Sequence, residues 1–192
     1  MDDGPVEFYS KERWDNWLDR IAEANLDDES EASRLFLNLQ SDTTVAIAKV
    51  FTAIESDDIS PDEARDELAT IQDIVLTEVE MQDESAIMLI DAVQTSLVCP
   101  FLSADKYLRE GPDHDNGSMQ ELYEAATDAE ASEEYEEALG YMTTIGTRII
   151  DGQELEIDLE EEEIEYGLVT EWLGGLDSLN EALEGPKVVE DD

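Results

Sequence analysis

Apolar residues recur along this chain at intervals of three and four, the spacing of one buried face of an α-helix. Ser10 is placed to cap a first helix, with Tyr9 and Trp14 in the positions of a hydrophobic staple. Trp14, Trp17, Leu18 and Ile21 continue its stripe. A longer segment opening at Ser30 alternates Phe36, Leu39, Thr43, Ala46, Val50 and Ala53. "SPDE" at 60–63 is a helix start in three respects: Ser60 at the N-cap, Pro61 at the first helical position and Glu63 closing a capping box. Ala64, Leu68, Ile71, Val75 and Val79 then form that helix's buried face. A fourth helix starts near Asp83, and its stripe from Ala86 to Leu108 keeps phase through Pro100. That favours one kinked helix over two.

After a loop at "GPDHDNG" (111–117), the capping box "SMQE" (118–121) opens a long helical region. Its clearest stripe is Tyr135, Ala138, Met142, Ile145 and Ile149. Leu155, Ile157 and Leu159 alternate as in a strand, but no other segment offers a ladder, so an extended arm over the helices is expected. The run "DLEEEEIEYG" (158–167) reads as a helix start, with Asp158 as cap and Glu161 at N3. Carboxylates in a first turn gain ~0.3–1 kcal/mol each from the helix dipole. Ile164, Leu168 and Trp172 would anchor that helix. Gly174 and Gly175 would end it before a short terminal one carrying Leu176, Leu179 and Leu183. The expectation is an all-α fold, a compact bundle of six or seven helices with an extended arm before the last ones. Residues 1–9 form a mobile N-terminus, 10–184 a single helical domain and 185–192 a mobile acidic C-terminus. Helices two and four are expected to be the most buried.

Charge changes the picture. The chain has 53 Asp and Glu against 10 Lys and Arg, a net charge of −43, yet 41% of its 192 residues are hydrophobic. The periodicity argues for folding rather than disorder. Successive blocks of 48 residues hold 12, 13, 12 and 16 acids, so the charge is no terminal tail. A uniformly acidic, lysine-poor surface suits a cytoplasm at molar salt, where the Debye length of ~3 Å screens self-repulsion. Cys99 has no possible intrachain partner, and "MDDGPVEFYS" lacks the basic and apolar regions of a secretory signal. The most apolar run, "AIMLIDAVQTSLVCPFL", is 17 residues interrupted by Asp91, Gln94 and Pro100, and reads as a buried helix. A halophile's cytoplasmic protein without membrane attachment is expected.

Candidate chemistry is sparse. With His114 the sole histidine, paired Glu-x-x-His metal ligation is excluded and histidine zinc sites are disfavoured. Cys99 lies in apolar "SLVCPF", where a structural thiol is the ordinary reading against a Cys99–His114 nucleophile pair. Asp113, Asp115 and Glu124 fall at positions 1, 3 and 12 of a calcium loop, but Ser118 stands where that loop needs glycine. An acidic turn is the competing reading. No phosphate-binding glycine loop is present, and ten scattered cations exclude direct nucleic-acid binding. No cofactor is expected.

The informative feature is where acid is missing. Residues 92–104 carry no charge, and 35–54 carry only Asp42 and Lys49. Either both helices are buried nearly all round, or they contribute a patch for a protein partner or a second copy. Gln40, Thr44, Gln94 and Thr95 are then the candidates to reach the surface.

"FYSKERWDNWLDRI", "LFLNLQSDTTVAIAKV" and "VQTSLVCPF" together resemble an uncharacterised archaeal family common in haloarchaea and classed as a domain of unknown function (DUF2150-like). The likeness covers most of residues 7–110 and is vaguer beyond. It implies an archaeal origin and brings no activity or site residues. The function expected is a non-enzymatic interaction or adaptor protein. The alternative is a carboxylate metal protein or enzyme using the 113–124 loop.

Overall fold

The local start signals act as read. The computed structural model describes residues 7–159 and 166–185. Helix α1 (Lys11–Glu23) begins where the Ser10 hydroxyl accepts from the Arg13 amide at 3.1 Å, with Tyr9 and Trp14 both buried. Helix α2 (Glu29–Glu55) is capped by Asp28, whose carboxylate accepts from Ser30 and Glu31. The opening expected at Ser30 lies one residue late, because Asp28 already supplies an acceptor for the free amides of the first turn. Helices α3 (Pro61–Val75) and α5 (Met119–Ala131) each open on a complete capping box, Ser60 with Glu63 and Ser118 with Glu121. Helix α4 (Glu84–Glu110) runs unbroken through Pro100.

The remaining helices depart from expectation at their ends. Instead of one long region, α5 stops and α6 (Tyr135–Ile150) begins after three residues. Glu133 adopts a left-handed conformation (φ 61°), and the amides of Glu133 and Glu134 return to the carbonyls of Glu130 and Ala129 at 2.9 and 2.8 Å. This is a Schellman stop built on glutamate instead of glycine, so the sequence carries no glycine to announce it. The same pattern closes α2, with Asp57 (φ 58°) in the left-handed position. The break leaves Tyr135 46% exposed, off the buried stripe of α6 to which it was assigned. Helix α7 (Leu168–Glu184) passes straight through Gly174 and Gly175. Residues 1–6, 160–165 and 186–192, which include the glutamate-run helix start and most of both terminal tails, lie outside the described residues.

Seven α-helices and no strand make the described residues all-α. The chain divides into two compact units, residues 1–95 and 96–192, with the division inside α4. In the first unit, Trp14, Ile21, Leu39, Ile47, Val50, Ala64, Leu68, Ile71, Val75 and Ile90 are buried. α1 and α2 are tied by Asp42, which accepts from Trp17 Nε1 at 2.9 Å and Arg13 Nε at 2.8 Å, with Arg13 Nη2 on its other oxygen. At the end of α3, where carbonyls lack intrahelical partners, Gln94 Nε2 donates to the carbonyls of Val75 and Thr77 at 2.8 Å each.

The second unit packs α5, α6, α7 and the C-terminal half of α4 around Leu122, Met142, Ile145, Trp172 and Leu176, with Leu155 and Ile157 of the non-helical arm against that core. Its helices touch through missing side chains. A Cβ added at Gly175 would stand 1.8 Å from the Ser96 carbonyl oxygen. One at Gly146 would stand 1.9 Å from Ser103 Oγ. Close approach, not helix termination, accounts for Gly175. α6 is buried without a gap from Met142 to Ile149, more completely than α2, which was expected with α4 to be the innermost. α4 extends well past its 17-residue apolar run and is long and apolar enough to cross a bilayer. A core helix passes the same test, and Leu97, Cys99, Phe101 and Ala104 of α4 are fully buried or nearly so.

Candidate functional site

The loop between α4 and α5 is the first candidate from sequence. Arg148 of α6, 3% exposed, reaches it with Nε on the Asp113 carbonyl (2.5 Å) and Nη1 on the Gly117 carbonyl (2.6 Å). The Asp113 carboxylate turns inward on its own loop, accepting from the Asp115 amide at 3.1 Å and Asn116 Nδ2 at 2.6 Å. Glu124 accepts from Gln120 Nε2 at 3.0 Å. These side chains serve turn and helix geometry. Among the described residues no three His, Cys, Asp or Glu side chains are grouped to hold a metal ion.

The thiol–imidazole pair fares no better. Cys99 is fully buried, and that burial pushes its thiol up to about 12, against the smaller opposing effect of hydrogen bonds from Ser103 and Thr143. Thiolate, the nucleophilic form, is therefore scarce at neutral pH. His114 Nε2 sits 3.0 Å from Asp151 Oδ2 at the surface, and Tyr107 donates to the same carboxylate's other oxygen at 3.3 Å.

The acid-poor stretches place their polar residues differently from expectation. Gln40 and Thr44, named as surface candidates, are 3% and 0% exposed. The Thr44 hydroxyl bonds back to the carbonyls of Gln40 and Ser41 at 3.2 Å, which satisfies it without water. Gln94 is half-buried and engaged with the end of α3. Thr95 is half-buried with its hydroxyl on the Asp91 carbonyl at 2.8 Å. Uncharged and polar did not mean surface-facing here, because threonine and glutamine find backbone acceptors inside.

What α2 does expose lies on the opposite side. Arg34, Leu37, Asn38, Ser41, Val45, Lys49 and Thr52 recur at helical spacing and are all exposed, with Leu37 at 58%. No carboxylate falls among them. The one acid of this stretch, Asp42, is held by Arg13 and Trp17. Burial, the largest single influence on its carboxyl, raises its pKa. Hydrogen bonds from Arg13 and Trp17 and the Arg13 charge together outweigh that burial, so it titrates below the ordinary range. Beside the stripe's N-terminal end, Ala32, Ser33, Phe36 and Leu37 face Met88 and Leu89 across an apolar groove of about 480 Å³. Met88 is 71% exposed. The signal for this face was in the sequence: with Leu39, Thr43, Ala46 and Val50 inward, a helix must turn Ser41, Val45 and Thr52 outward.

A family described as "Uncharacterized protein conserved in archaea (DUF2150)" matches residues 7–192. No curated protein and no solved structure matches the chain.

Proposed function

Starting from a chain that belongs to this uncharacterised archaeal family, DUF2150, we propose that it is a non-enzymatic protein-interaction module, working in a high-salt cytoplasm and binding through the exposed face of α2. One observation carries the reading: in a chain whose acids outnumber its bases 53 to 10, one long exposed helix face is without a free carboxylate. Docking a carboxylate-covered face strips water from charges that gain no partner. Docking this face desolvates mainly Leu37, Ser41 and Val45. The dispersed acidity and the unpaired Cys99 support the compartment.

The test is Val45→Glu, with Ser41→Glu as a second variant. Both positions are exposed, so helicity and the denaturation midpoint in molar KCl should stay within ~0.5 kcal/mol of the parent. Proteins retained by the parent chain from a native-salt lysate should be lost by both variants. Retention of the same proteins by folded Val45→Glu would place the interface elsewhere.

A further inference from the structure

We propose, resting on that reading of α2, that the groove and stripe receive an acidic amphipathic helix from another protein. An apolar side chain of this helix would enter between Leu37 and Met88, and its carboxylates would meet Arg34 and Lys49. The groove is the natural anchor. Apolar pockets that one large side chain can fill concentrate binding energy, and a methionine at the rim adapts to what enters.

The cations identify the occupant. Among the described residues, the other fully exposed cations are engaged: Lys11 with Asp15, Arg13 with Asp42, Arg109 with Asp105, and Arg20 over the Trp17 ring. Arg34 and Lys49 are exposed and make no ion pair among the described residues. They stand fifteen residues apart on one helix face, about 22 Å at 1.5 Å per residue, on either side of the uncharged centre. A partner with carboxylates at that separation and apolar residues between them is complementary.

A second copy is not. An antiparallel two-fold pairing centred between Ser41 and Asp42 sets each Arg34 beside the other copy's Lys49. A parallel pairing sets like on like. An anionic bilayer would extend well beyond the stripe and meet the carboxylates around it, which a single helix lying on the stripe does not.

The probe is a labelled 20-residue helical peptide with a leucine seam and glutamates fifteen positions apart, compared with the same peptide carrying lysines there. Binding to the full chain is followed by anisotropy in the lowest salt that preserves helicity. The glutamate peptide should bind about fivefold more tightly, the modest scale of two exposed ion pairs. Arg34→Glu with Lys49→Glu should invert the preference. Met88→Ala should weaken both peptides without changing their order. Equal affinities, no binding, or a preference for the lysine peptide by the parent would overturn the proposal. So would self-association on sedimentation, or vesicle binding, that Arg34→Glu abolishes. If self-association is lost in Val45→Glu as well, α2 remains an interface and only the acidic partner is refuted.

Discussion

The two units hold their helices together by opposite means. In the first, α1 meets α2 through a carboxylate, with Asp42 accepting from Arg13 and Trp17, and the end of α3 is held by the Gln94 amide. In the second, α7 meets α4 through the absence of a side chain at Gly175, and α6 meets α4 through the same absence at Gly146. A side-chain clamp is directional and works at a distance, and one built on a carboxylate also titrates. A glycine contact has none of these properties, and it tolerates no added atom. An acidic chain short of cations can build few clamps, so much of its packing must come from close approach and from hydroxyls that bond within their own helix. Ser103, donating to the Cys99 carbonyl at 2.7 Å, is an example.

The contrast breaks hardest at Gly175. Alanine there meets backbone, not a side chain that could rotate away, so Gly175→Ala should destabilise by about 3 kcal/mol or more. In chemical denaturation in molar KCl that loss should be constant between pH 3 and 8. A change below 1 kcal/mol would mean the contact is looser than described.

Asp42→Ala should cost about 2 kcal/mol, the scale of hydrogen bonds to a charged group together with an orphaned Trp17 N–H. Here pH matters. The folded carboxyl titrates below its ordinary value, so its contribution is complete above the unfolded pKa of about 4 and is lost as pH falls through the folded one. The difference between parent and variant should therefore be full at pH 6 and shrink below about pH 4. A difference that stays flat with pH would show that packing, not charge, holds α1 to α2.

The smallest effect sharpens the comparison from the other side. Gly140, also within α6, has nothing within 4 Å of an added Cβ. Gly140→Ala should therefore stabilise by ~0.5–1 kcal/mol, through the helix preference alone. Should it destabilise instead, glycine in α6 would matter beyond close contacts.

These glycines also mark the border of what was legible in advance. Helix starts were readable because a cap is local: Ser10, Ser60 and Ser118 meet amides three residues away, and the pattern of Ser, Pro and Glu suffices. The continuity of α4 through Pro100 followed from the phase of its apolar stripe. Helix ends were less readable, since Asp57 and Glu133 take left-handed positions usually given to glycine. Of the four interface candidates, Gln40 and Thr44 face inward and Gln94 and Thr95 are half-buried. Absence of charge is common to a buried position such as Thr44 and an exposed one such as Ser41, and only the helix phase separates them.

By itself, then, the order of residues determined the helical class, three of the caps, the uniform acidity and the two stretches where acid is missing. Those depend on neighbours within a few positions, or on composition alone. The tertiary structure decided that Gly175 continues a helix rather than ending it, that Arg148 anchors the 113–117 carbonyls, and that Leu37 and Met88 share a groove. Each of these joins residues 31 to 79 positions apart, or two elements whose approach no local pattern encodes. Whether a glycine breaks or binds is settled by the backbone that packs against it.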